Sequence, residues 1–256
     1  MALATILTGY YMACARPFDV KTSIIALIGS AFVGGGANAL NQYFERDLDA
    51  GMKRTQDRPL PSQRLGEREA LWFSVFLSLT GLGILFFGVN RLTGLIGLLT
   101  LSVYVFLYTP LKQKTSANTL IGALSGAAPC LIGWTAASGR LGRGALVLFI
   151  ILFVWQLPHF FAIARIYRED YQRAGLRMMT APILLYSAVL LPVSLVPARI
   201  GMTGNFYPAA SQAAGAAFLT FALYMTLTKL SAPKKFIPAS ILYLTLLIAI
   251  MVFDKA

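Results

Sequence analysis

The stretch Asn41-Gln-Tyr43-Phe44-Glu45-Arg46-Asp47-Leu-Asp49-Ala-Gly-Met-Lys53-Arg54-Thr-Gln-Asp57-Arg58-Pro59 decides how the chain is read. It follows an apolar, glycine-rich run from Ser23 to Leu40, so its polar residues form the last turns of a membrane helix entering the headgroup zone. Asn41, Glu45, Asp49 and Lys53 recur every fourth residue. Each such step turns a helix only about 40°, which lines Asn41, Glu45 and Asp49 into one stripe of oxygens about 12 Å long. Arg54 and Arg58 follow at the same interval. Carboxylates hold a hard cation such as Mg²⁺ that keeps several waters, and arginine grips phosphate oxygens bidentately. The chemistry that suits the stretch is therefore a Mg²⁺-chelated diphosphate. An ordinary charge run pairs its acids and bases along a solvated helix face. This one differs in carrying an asparagine in phase with the acids and in being fused to a spanning helix.

Outward from this stretch the chain is that of a membrane protein. Of its 256 residues 57% are hydrophobic and 12% charged, and the mean hydropathy is +0.68, which excludes an ordinary soluble domain. Apolar runs near the ~20 residues of a spanning helix lie at about 1–15, 22–44, 69–89, 92–110, 116–137, 143–164, 179–199, 206–229 and 236–253. The expectation is an all-α polytopic bundle of about nine transmembrane helices, one domain over residues 1–256. Residues 1–15 rise only about 22 Å against a hydrocarbon core of about 30 Å, so the first helix is expected to be partial or to start upstream. No charged leader or small-residue cleavage site marks a signal peptide.

A net charge of +12 raises nucleic acid as a partner, and the charge distribution excludes it. Fifteen of the 22 Lys and Arg fall in the loops after the second, fourth, sixth and eighth runs. By the positive-inside rule those loops are cytoplasmic, which puts the N-terminus inside and the C-terminus outside. Lys229 in the last basic loop belongs to these fifteen, while Arg16 and Lys21 in the first turn belong to the seven on the opposite side. Cys14 and Cys130 sit in separate apolar runs and read as small core residues, without a disulfide framework.

A second polar site closes the sixth run: Trp155-Gln156-Leu-Pro158-His159-Phe160, then Arg165, Tyr167, Arg168, Glu169, Asp170 and Tyr171. His159 is the only histidine, and an imidazole inside a membrane helix is by default functional. Glu169 and Asp170 lie on the same membrane side as Glu45 and Asp49, so the two loops suggest one shared site. Tyr104 and Tyr108 share a helix face and suit either an interfacial aromatic belt or the wall of a cavity, with Lys112 and Lys114 reaching toward phosphate. Gly34-Gly35-Gly36 admits close approach of a helix or of a flat ligand. Gly122, Gly126 and Pro129 form a close-packing face, and Asn118 needs a partner inside the membrane. Arg58-Pro59-Leu60-Pro61 is expected to stop the helix of the stripe, and Pro192 and Pro197 to kink the seventh run. Runs seven to nine read as scaffold.

Asn41-x3-Glu45-x3-Asp49 ahead of Lys53-Arg54-Thr55-x2-Arg58-Pro59, together with Trp155-Gln156-x-Pro158-His159-Phe160 and Asp170-Tyr171-x2-Ala174-Gly175, resembles the UbiA-type intramembrane prenyltransferases, in the branch that farnesylates heme. The likeness runs over essentially the whole chain. It departs from the family in lacking the usual Lys-Pro-Arg entry to the first helix, and it has Tyr167 near where quinone-making members carry an extra carboxylate. The resemblance implies transfer of a farnesyl group from farnesyl diphosphate to the vinyl group of heme b, with addition of water, giving heme O and diphosphate. It implies Mg²⁺ held by Asn41, Glu45 and Asp49, with Asp170 from the second loop, and diphosphate held by Lys53, Arg54, Arg58, Lys112 and Lys114. Tyr43, Phe44, Tyr104, Tyr108, Phe160 and Tyr167 would line the pocket, where aromatic faces steady an allylic cation. His159 would either orient heme as an axial ligand or act as a base, the first being favoured. The implied setting is a prokaryotic inner membrane with the site loops cytoplasmic, and heme A synthase or a terminal oxidase as the next partner. The rivals are prenylation of an aromatic quinone precursor, a membrane heme carrier, which should show two matched halves, and an assembly factor, for which Glu45 and Asp49 would be dispensable.

Overall fold

The computed structural model describes residues 1–14, 17–177, 183–227 and 233–256. Arg16, the first residues of the seventh run and Lys229 lie outside the described residues. The described chain is helical without a β-strand, its one bridge being Thr203 with Lys255. Among the described residues seven segments are long and apolar enough to span a membrane. They are α2 (Val20–Phe44), α4 (Glu67–Gly88), Arg91–Lys114, Asn118–Ser138, α9 (Arg143–Ile166), α13 (Phe206–Leu227) and Lys234–Phe253 within α14 (Pro233–Phe253). Two shorter apolar helices, α1 (Ala2–Ala13) and the segment Ile183–Arg199, occupy the positions of the first and seventh expected runs.

Sequence chemistry sets the breaks. Asp19 caps α2 by accepting from the Thr22 amide at 3.1 Å and its hydroxyl at 2.6 Å. Those bonds hold its carboxyl below the usual carboxylate range. Arg91–Lys114 is three pieces: α5 (Arg91–Ser102), a π-helical turn Val103–Tyr108, and α6 (Thr109–Lys114). Asn118–Ser138 divides at Ala128-Pro129 into α7 (Asn118–Ala127) and α8 (Pro129–Ser138). Ile183–Arg199 contains Pro192 and breaks at Leu195 into α11 (Ile183–Ser194) and α12 (Val196–Arg199), as the prolines led one to expect. α3 (Arg46–Ala50) and α10 (Arg168–Arg173) are the short helices of the two polar loops.

α9 is the central column: 61% of its spanning window is buried, against 22% for α13 at the rim. It packs on α7, α8, α11 and α14, and Leu157 and Phe161 from it lie in the main core with Leu244 and Leu247 of α14. The glycine run of α2 admits a close helix, one of the two readings considered for it. Gly36 faces Ser74 and Ser78 of α4, where a side chain would collide, while nothing lies within 4 Å of where Gly34 would carry one. Exposed Trp72, Phe73, Phe76 and Leu79 line the outer face of α4, as a lipid-facing helix requires.

α1 leans on α8 backbone to backbone. A side chain at Gly133 would strike the carbonyl of Ile6, and one at Gly9 the carbonyl of Cys130. Gly133→Leu should therefore push α1 away and destabilise the protein by about 3 kcal/mol. A lowered unfolding temperature in detergent checks this, with Gly34→Ala, which meets open space, as the tolerated control. Cys130 is buried in this contact, and no disulfide joins it to Cys14.

Candidate active site

The oxygen stripe exists, and it is buried. Asn41, Glu45 and Asp49 are 8%, 5% and 1% exposed. The Glu45 amide donates to the Asn41 carbonyl at 2.9 Å and the Asp49 amide to the Glu45 carbonyl at 2.7 Å, so the fourfold spacing carries across the joint between α2 and α3. The helix does not continue to Lys53 or to Arg58-Pro59, which corrects the expected stop: it ends at Ala50, with Gly51 as its cap. Beyond it the chain turns back, because the Asp49 carbonyl captures the Thr55 hydroxyl at 3.0 Å and the Met52 amide at 3.2 Å. That fold brings Arg58 onto Asp49, nitrogen to Oδ2 at 2.7 Å. Lys53 and Arg54 are left exposed in the turns.

Glu45 is paired from another part of the chain. The Lys112 ammonium lies 2.7 Å from one of its oxygens and 3.0 Å from the other, and 4.5 Å from the centre of the Tyr108 ring. The π turn explains how α5 and α6 supply this wall. Its wider coil sets Tyr104 and Tyr108 with ring centres 5.3 Å apart. Thr109 pins it by donating to the Tyr104 carbonyl at 3.0 Å while accepting from the Asn41 side-chain amide at 3.1 Å. With its NH₂ so engaged, Asn41 has its side-chain carbonyl for another partner.

The tyrosines wall a cavity of about 390 Å³ that runs along α2, past Ala37, Gly34 and Ser30, to Leu3 and Ile6 of α1, with Gly126, Gln156 and Phe160 opposite. Its lining is mainly apolar. Tyr104 and Tyr108 thus line a cavity and do not merely ring an interface. A second cavity of about 340 Å³ lies between α2 and α6, with Phe44, Glu45 and the exposed Lys114 on its wall. Tyr43 lines neither of these cavities; its ring carries the Arg46 guanidinium at 5.0 Å.

The second polar loop joins the first. Arg54 lies over the Tyr167 ring at 5.3 Å. Arg177 donates its amide to the Lys112 carbonyl at 2.8 Å, and the Asn118 side chain bonds the carbonyls of Thr115 and Arg177. Asn118 thereby finds its partners in the loop. Tyr171, part of the second motif but given no role there, sits in this junction: burial raises its phenol above the usual range against the pull of Arg54 and Lys112. Asp170 pairs with Arg173 at 3.3 Å, beside Glu169 at 3.9 Å. Among the described residues no three acids, histidines or cysteines gather as a metal site, so Asp170 is not brought into one group with Glu45 and Asp49.

His159 turns to α14 and is not among the residues lining the main cavity. Its Nδ1 lies 2.7 Å from the Ser240 hydroxyl, which itself donates to the Ile237 carbonyl at 2.7 Å. A hydroxyl hydrogen given to Ile237 leaves the Ser240 oxygen to accept from Nδ1–H, the tautomer that would keep the lone pair on Nε2. Trp155 stacks on the imidazole at 5.2 Å and donates to the Ser240 carbonyl at 2.7 Å. Ser240 therefore holds both rings of the second motif. No signal in the sequence links it to His159, 81 positions away, and it makes α14 more than scaffold.

An all-helical bundle enclosing an apolar cavity, with buried carboxylates at one end, is the fold of the intramembrane prenyltransferases. The structure of a digeranylgeranylglyceryl phosphate synthase aligns with 99% of this chain and 92% of its own at a TM-score of 0.81 and 16% identity. That of an Archaeoglobus fulgidus UbiA homologue bound to GPP and Mg²⁺ aligns with 97% and 94% at 0.66 and 14%. The chain belongs to the UbiA prenyltransferase family, which it matches over residues 2–251. It is 42% identical over 251 residues to the protoheme IX farnesyltransferase of Solibacter usitatus (strain Ellin6076), spanning 94% of this chain and 86% of that protein.

Proposed function

We propose that this protein transfers a farnesyl group from farnesyl diphosphate to the vinyl group of heme b, with addition of water, releasing heme O and diphosphate. The observation that carries the reading is the buried stripe Asn41, Glu45 and Asp49, its carboxylates paired with Arg58 and with Lys112, which lies against the Tyr108 wall of an apolar cavity. The identity to a protoheme IX farnesyltransferase supports heme as acceptor.

The stripe suits Mg²⁺. Its donors are all hard oxygens, and with only two carboxylates the rest of an octahedral shell falls to water and diphosphate, which is how Mg²⁺ is ordinarily held. Asn41, Glu45 and Asp49 would hold it, and when bound it would offset charge on the diphosphate. Arg58 and Lys112 already stand at the carboxylates, and Arg54, Lys53 and Lys114 are exposed on the same side to meet phosphate oxygens. Tyr104 and Tyr108 face the space where the allylic carbon sheds its diphosphate, and their rings stabilise the cation while the apolar walls keep bulk water out. The site loops are the arginine-rich ones, which supports a cytoplasmic side for them on a prokaryotic inner membrane; heme A synthase or a terminal oxidase would receive the product.

Farnesyl diphosphate labelled in the prenyl group, offered with heme b or with 4-hydroxybenzoate, tests the acceptor. Label in extracted heme supports the reading, and label in the hydroxybenzoate alone moves the enzyme to the quinone branch.

His159 is assigned to heme, with its Nδ1 beside the Ser240 hydroxyl, which in the Nδ1–H tautomer leaves Nε2 for the iron. Ser240→Ala should weaken heme binding about tenfold and shift its absorption band, since the group orienting a metal-binding histidine is worth that much. Equal titrations for wild type and variant would remove His159 from the iron.

A further inference from the structure

We infer that Asn38 and Tyr104 hold the water that adds to the vinyl carbon, so that this pair decides whether the product leaves as an alcohol or an alkene. The inference rests on the heme-farnesylating reading and concerns its last step. Asn38 lies three residues, about 4.5 Å of helix rise, before Asn41, on the cavity side of α2. It is exposed although it stands inside a membrane-spanning helix, and the surface it shows lines the main cavity. An amide there is costly unless it has a polar occupant to meet. The Tyr104 hydroxyl is 3.5 Å from Asn38 Oδ1, at the outer limit of a direct hydrogen bond and suited to sharing a water between the two. Tyr104 itself is fixed by the π turn, so the pair is held from two helices. Ala37, Val33, Gly34 and Leu101 make the wall near them mainly apolar, with Thr100 and Tyr108 as its other polar side chains there. One water held in place is what the chemistry requires, because loose water would quench the allylic cation first.

The step balances. The bond from farnesyl C1 to the diphosphate oxygen breaks, its electron pair leaving with diphosphate. The vinyl π pair bonds the outer vinyl carbon to C1, leaving a cation on the inner carbon beside the pyrrole. The held water donates a lone pair to that carbon, and its surplus proton passes to the departing diphosphate. Without the water, the cation loses a proton from the neighbouring carbon and becomes a farnesylated alkene lighter by one water.

The test is mass analysis of heme made by the purified full-length protein in ¹⁸O-water from heme b, farnesyl diphosphate and Mg²⁺. Wild type should give the alcohol carrying the label. Asn38→Leu, nearly isosteric, should lower the ratio of alcohol to alkene at least about tenfold among the products formed. Tyr104→Phe, which keeps the ring, should lower it in the same direction, and Asn38→Gln, which keeps the amide, should recover alcohol. An unchanged ratio in both Asn38→Leu and Tyr104→Phe overturns the inference alone. Loss of every prenylated heme in both variants, with heme binding retained, also overturns it, since the pair would then act before the carbon–carbon bond. A wild type that prenylates only another acceptor removes the functional reading and the inference together.

Discussion

Glu45→Gln and Asp49→Asn are each expected to lower kcat for farnesyl transfer by about 10²–10³-fold. Both substitutions keep shape and hydrogen-bonding oxygen, and remove one negative charge from a stripe that is 5% and 1% exposed at these positions. The loss should grow at low Mg²⁺ and shrink at high Mg²⁺, because the charge that attracts the cation has gone. Combining the two should cost less than the product of the singles, since they serve one cation. The check is a Mg²⁺ titration of the transfer rate for all three variants. Rates within about threefold of wild type at every Mg²⁺ concentration would separate the stripe from the chemistry and favour the carrier or the assembly factor.

Arg58→Met should be among the most damaging changes to the folded state. Asp49 is 1% exposed and has Arg58 as its ion-pair partner at 2.7 Å. Removing one member of a buried pair strands the other, at a cost of about 3–5 kcal/mol, and about 3 is expected here because Arg58 is itself 31% exposed. Mg²⁺ should restore much of the lost stability, as a cation held by Asp49 would supply the positive charge that Arg58 no longer gives it. Thermal unfolding in detergent with and without Mg²⁺ reads this without any assay of turnover. A variant that stays destabilised at saturating Mg²⁺ would show that the carboxylates bind no metal.

The sequence exposed the parts of this design that are local. Apolar length marked the spanning segments, and fourfold spacing marked the stripe, because both follow from the pitch of one helix. What it could not show was everything held from a distance. Lys112 meets Glu45 across 67 positions and Ser240 meets His159 across 81; neither pairing leaves a periodic trace. The stripe's helix ends early because the Asp49 carbonyl takes Thr55, a side-chain capture that Pro59 only appeared to announce. The π turn was equally hidden, since Val103–Tyr108 reads as ordinary apolar helix, yet it is what sets Tyr104 and Tyr108 together on the cavity. Asn38 was within reach: it is a polar residue inside a membrane run, three positions before the stripe.

The most direct measurement is the mass of heme extracted after the purified protein has been incubated with heme b and farnesyl diphosphate, with Mg²⁺ and with the metal chelated. A farnesyl-hydroxyethyl heme should form with Mg²⁺ and disappear without it. Heme recovered unaltered under both conditions, from protein that is folded and binds both substrates, would contradict the proposed transfer.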